Sequence, residues 1–69
     1  MRNNVEKYSS LTLRDKETLK YIIKGCTNKK ISNKMHISHH IIRSNRMGIW
    51  QKLEIKHFRD CFKYEYFFN

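Results

Sequence analysis

The sequence has no proline, only two glycines and only two cysteines in 69 residues. Without proline nothing interrupts helix formation, so a mostly helical chain is expected. Two thiols, Cys26 and Cys61, do not make a disulfide framework, which favours a reducing, cytoplasmic setting. No apolar run approaches the roughly eighteen residues needed to span a bilayer, and the N-terminus carries no signal-peptide pattern. A membrane partner is therefore not expected. Nothing in the chain resembles a Ser-His-Asp or Cys-His arrangement, paired catalytic carboxylates or a phosphate loop, so catalysis is not expected either. Cys26, His36, His39 and His40 do not follow the paired-ligand spacing of a structural zinc site, and adjacent His39 and His40 point to different sides of a helix. No metal or other cofactor is expected.

The scarcest feature is negative charge where it would matter. Fifteen Lys and Arg face six Asp and Glu, for a formal charge of +9. Between Thr18 and Leu53 there is no acidic residue, yet that stretch holds Lys20, Lys24, Lys29, Lys30, Lys34, Arg43, Arg46 and Lys52. The basic and acidic residues outside it almost cancel. Solubilising surfaces normally mix both signs; a field of one sign over half a domain attracts polyanions, nucleic acid above all. A hydrophobic content of 39% is enough for a folded core. At this length the core is small, and a chain without metal or disulfides gains from a partner.

Local signals divide the chain. Residues 1–10 are polar and aperiodic, and are expected to form a flexible arm from which Val5 and Tyr8 can dock on the core, with residues 11–69 as the domain. A first helix is predicted from Thr12, where Thr12 and Asp15 stand in capping-box spacing, to Gly25, whose freedom suits a helix stop. Leu19, Ile22 and Ile23 form its apolar face. A second is predicted from Thr27 to Met35, with Ile31 and Met35 facing inward. Ser38 caps a third helix, 39–53, whose inner stripe is Ile42, Ile49 and Leu53. Its outer side carries His40, Arg43, Ser44, Met47 and Gln51, while Arg46 lies nearer the buried flank, able to snorkel or to hold a phosphate. A fourth helix is predicted from about His57 to Tyr66, with Phe58, Cys61, Phe62 and Tyr66 at helical spacing; Glu65 shares that stripe. Gly48, inside the third helix, costs about 1 kcal/mol relative to alanine. It either admits another backbone or is simply tolerated.

Two short helices joined by Met35-His36-Ile37-Ser38, the second serine-capped and outwardly polar, describe a helix-turn-helix over about residues 27–47. A B-DNA major groove about 12 Å wide admits one helix, and the preceding helix crosses the backbone, bringing its first residues to phosphates.

The order Leu11-Thr12-x-Arg14-x-x-Glu17-x-Leu19, Gly25-x-Thr27-Asn28-Lys29-x-Ile31, Ile37-Ser38, Ile42 and Ile49-x-x-Lys52-Leu53-x-Ile55 resembles the LuxR-type (GerE/FixJ-like) helix-turn-helix DNA-binding domain over about residues 11–66. The resemblance implies an all-α, four-helix domain, with the third helix reading the major groove and the fourth serving as the dimer helix. It implies a small transcription regulator that binds double-stranded DNA sequence-specifically as a homodimer. By family position Arg43, Ser44 and Met47 face base edges, while Thr27, Asn28, Lys29, Ser38 and His40 lie near phosphates, joined by Arg46 from the wheel. Phe58, Cys61, Phe62 and Tyr66 are the dimer candidates. The chain departs from the family at Lys30, Ile41, Asn45, Glu54 and Glu65, where Glu, Thr, His, Gly and a small residue are common.

A second reading keeps the fold but makes it a protein-interaction module acting on another regulator or on RNA polymerase. The aromatic tail Tyr64, Tyr66, Phe67 and Phe68, with Glu54 and Glu65, motivates it. The sigma-factor region-four helix-turn-helix is similar more loosely. The chain reads either as a stand-alone regulator or as a C-terminal fragment behind an added Met1.

Overall fold

The computed structural model describes residues 2–68. Met1 and Asn69, the outer ends of the two expected segments, lie outside the described residues. Four α-helices are followed by a 3₁₀ helix: α1 (Asn4–Ser9), α2 (Leu13–Ile23), α3 (Asn28–Met35), α4 (His39–Leu53) and the C-terminal helix Phe58–Phe68. The third helix predicted from sequence is thus α4.

The central helices begin and end on local chemistry. Thr12 and Asp15 close a reciprocal capping box, with Asp15 N–H donating to Thr12 Oγ1 at 3.1 Å and Thr12 N–H to Asp15 Oδ2 at 3.0 Å. Thr27 and Ser38 cap α3 and α4 by accepting from the backbone N–H of Lys30 and Ile41. Gly25, at φ +86°, ends α2 in a Schellman arrangement: Cys26 N–H donates to Tyr21 O and Gly25 N–H to Ile22 O, both at 3.0 Å. His36 and Glu54 take the same left-handed conformation, at φ 55° and 56°, after α3 and α4. At Glu54 the left-handed turn is made without glycine, at the steric cost a Cβ carries in that region.

Leu11, Leu19, Ile22, Ile31, Ile42, Ile49 and Leu53 converge with Cys61 and Tyr64 into one core. α4 packs against α1, α2 and α3, and the 3₁₀ helix packs on α2. Across that core Asp15, almost fully buried, accepts from Lys52 Nζ at 2.7 Å and from Asn45 Nδ2. Thr18 Oγ1 lies 3.1 Å from Asn45 Oδ1. Burial alone raises the Asp15 carboxyl pKa. The Lys52 hydrogen bond, the Thr12 amide, the Lys52 charge and the Asn45 amide outweigh it and hold the group below its ordinary value. Asn45, one of the departures noted in the sequence, is therefore a tie between α2 and α4.

Two expectations are corrected. Residues 1–10, expected as a flexible arm, contain α1. Asn3 caps it, accepting from Glu6 N–H at 2.9 Å. A six-residue helix is too short to stand alone; tertiary contacts hold it. Tyr8 stacks on Phe67 with centroids 4.1 Å apart, and Tyr64 Oη donates to Asn4 Oδ1 at 3.4 Å. Arg2 reaches the far end of α4, donating to the Lys52 carbonyl at 3.2 Å.

The second correction concerns the fourth predicted helix, which is 3₁₀ rather than α. At three residues per turn Phe58, Cys61, Tyr64 and Phe67 share a row, so Tyr64, not Phe62, closes the core. Cys61 is fully buried in that row, and this removes it from the dimer candidates. Burial also pushes its thiol pKa up, against the lowering charge of Arg46. Phe58, Phe62 and Tyr66 remain 48%, 43% and 57% exposed. Glu65, which shares the predicted α-helical stripe, is exposed.

Candidate nucleic-acid interface

The helix-turn-helix is closed by its own turn. Ile37 N–H donates to the Ser32 carbonyl at 3.1 Å, and Ser32 Oγ donates back to the Ile37 carbonyl. The left-handed His36 turns the chain between them. This short bonded connection fixes the direction of α4 relative to α3. With Ile42, Ile49 and Leu53 inward, the opposite side of α4 faces out.

Along that outer side His40, Arg43, Ser44 and Met47 are all exposed, Met47 by 67%. Ser38 and His40 sit at the start of α4, and Thr27, Asn28 and Lys29 at the start of α3. The Thr27 and Ser38 hydroxyl oxygens each accept a capping hydrogen bond, which leaves each O–H free to donate outward.

One contact joins the two helices into a single surface. Arg46, half-buried, donates from Nη1 to Asn28 Oδ1 at 2.9 Å. Beside this bond lies an open cleft of about 280 Å³ lined by Asn28, Arg43, Arg46, Met47 and Trp50. Four residues singled out from sequence thus meet in one place, two as base candidates and two as phosphate candidates. Ser44, Ser38, His40, Thr27 and Lys29 are outside its lining.

Trp50 was not among the predicted residues. Its signal was available: it is the only tryptophan, one helical turn beyond Arg46 and Met47. The Arg46 guanidinium lies 5.7 Å from the Trp50 ring centroid and 6.0 Å from that of Phe58. No acidic residue lines the cleft. Of the basic residues in the acid-free stretch, Lys52 is neutralised locally by Asp15.

Among the described residues no group of three His, Cys, Asp or Glu is placed to hold a metal ion. No described helix is long and apolar enough to cross a membrane.

An all-helical domain built around this motif is of the helix-turn-helix class. The family model described as GerE, bacterial regulatory proteins, luxR family, matches residues 9–64. The chain belongs to that family and carries its DNA-binding helix-turn-helix. The family is one of bacterial regulatory proteins. The chain is also similar to the "Probable transcriptional regulator ycf29" of Guillardia theta, 41% identical over 49 residues. That match covers 71% of this chain and 24% of the relative, so the chain spans about a quarter of that protein's length. No solved structure matches the chain.

Proposed function

We propose that this protein regulates transcription by binding double-stranded DNA sequence-specifically, with α4 in the major groove. The observation that carries this reading is the Asn28–Arg46 bond, which joins the start of α3 to the flank of α4 beside Arg43 and Met47, in a cleft that no carboxylate lines. Arg43, Ser44 and Met47 lie along the edge that meets base pairs. Arginine is suited to bidentate contact with guanine, serine to either hydrogen-bonding role, and methionine to a thymine methyl. Thr27, Asn28, Lys29, Ser38, His40 and Arg46 flank them toward the phosphates, fixing register without reading sequence. α4 is 15 residues long, about 22 Å, enough to follow the groove over several base pairs.

The protein acts as a homodimer through the exposed rings of Phe58, Phe62 and Tyr66, which offer a second copy an apolar surface. Phe62→Glu is expected to leave a monomer in sedimentation; an unchanged dimer would remove this helix from the interface.

The test of DNA reading is fluorescence anisotropy on random and selected duplexes at several salt concentrations. Preference for one sequence, with affinity falling steeply as salt rises, is the expected result. Weak binding without a preferred sequence would favour the second reading, a protein-interaction module acting on another regulator or RNA polymerase. The same exposed aromatic rings of the 3₁₀ helix favour that reading.

A further inference from the structure

Arg46 is a long side chain on a helix surface, where an arginine ordinarily samples many rotamers. Here three groups restrain it. Asn28 Oδ1 accepts one of its N–H groups at 2.9 Å. Trp50 and Phe58, their centroids 6.2 Å apart and their planes inclined at 56°, form an aromatic corner under the guanidinium. Phe62 meets Phe58 edge-on at 5.8 Å and braces that corner. A guanidinium has five N–H donors; one is used by Asn28, and the cleft has no carboxylate to take the others.

We propose that Trp50 and Phe58 are positioning residues that hold the Arg46 guanidinium at the mouth of the cleft, aimed at one phosphate of the DNA backbone. The proposal rests on the DNA-binding reading above. The rings face Arg46 by their geometry, and cation–π attraction favours that placement. An arginine already fixed loses less freedom on meeting a phosphate, so the rings act on affinity without touching DNA. Asn28 keeps its amide NH₂ as a further donor beside the same seat.

The experiment is a double-mutant cycle on the full chain, read by anisotropy with a selected duplex across a salt series. Trp50→Leu and Phe58→Leu are each expected to weaken binding by about fivefold, the ordering cost of one long side chain. Arg46→Ala is expected to weaken it further and to shallow the log–log salt slope by about 1.8, one phosphate contact from each protomer of the dimer. The decisive expectation is that Trp50→Leu adds nothing in the Arg46→Ala background, while Trp50→Phe, which keeps a ring, retains most of the affinity. If Trp50→Leu lowers the folded fraction, the cycle is run with Phe58→Leu, at a half-exposed position, at protein concentrations where sedimentation shows its dimer population equal to that of the unaltered protein. An equal loss in both backgrounds, or no loss in either, overturns the positioning role while leaving DNA binding intact. Absence of salt-dependent duplex binding by the unaltered protein overturns the underlying reading together with it.

Discussion

Gly48→Ala isolates one backbone effect in the middle of α4. Gly48 lies in the helix His39–Leu53 and is not among the residues with positive φ. It therefore does not use the conformational freedom that distinguishes glycine. A Cβ built there meets no atom within 4 Å. No neighbouring backbone needs the space, so of the two roles read from the sequence, close approach within the fold is excluded. The remaining effect is propensity: glycine inside a helix is less favourable than alanine by about 1 kcal/mol, mainly through the freedom it has when unfolded. Gly48→Ala should raise unfolding free energy by about 1 kcal/mol. For a domain of this size that corresponds to about 4–8 °C in Tm. Urea titration followed by circular dichroism measures the first, and a thermal scan the second. The urea midpoint should rise with unchanged slope. No gain, or a loss, would refute the reasoning, because it would mean that the methyl is not accommodated. Duplex affinity should be unchanged; a loss of binding with the stability gain intact would make Gly48 a site where DNA or a second copy approaches the backbone.

Four further substitutions test other parts of the structure. Glu54→Gly places glycine at φ 56° and should stabilise by about 1 kcal/mol. The accompanying loss of the exposed Arg2–Glu54 pair at 3.9 Å should offset little of that in urea titration. Asp15 has a lowered folded pKa, so the unfolded chain binds its proton more readily; its stabilisation is present above the unfolded value of 3.8 and is lost as pH falls through the lower folded value. Asp15→Asn should cost about 2 kcal/mol at neutral pH, with the two unfolding curves converging in acid; parallel curves would mean that the Lys52 pair contributes nothing. In DNA binding, Arg43→Ala should relax preference at one base position and Lys29→Ala should weaken all duplexes alike. Uniform losses from both in a binding-site selection would remove the division between reading and anchoring.

The legible parts of this protein are those decided within a few residues. The capping box at Thr12 and Asp15, the caps at Thr27 and Ser38, and the stop at Gly25 rest on hydrogen bonds and dihedrals that a short segment sets for itself. Together with the inner stripes of α2 and α4, they make the helix-turn-helix readable and bring Arg43, Ser44 and Met47 to one exposed side. α1 was not readable, because Asn4–Ser9 is held by partners such as Phe67 and Tyr64 from the other end of the chain. The C-terminal pitch is not legible for a related reason: Phe58, Cys61, Phe62 and Tyr66 fit an α-helical spacing. The packed row instead follows a period of three, with Cys61 and Tyr64 inward.

The sequence by itself determined where α2, α3 and α4 start, which sides of them are apolar, and that positive charge is concentrated on the helix-turn-helix. Only the tertiary structure decided that Asn28 meets Arg46 across 18 residues and Asp15 meets Lys52 across 37. It also put Trp50 into the wall of the same cleft. A cap depends on groups the local backbone already holds together, whereas those pairings exist only once a shared core has set the distance between helices.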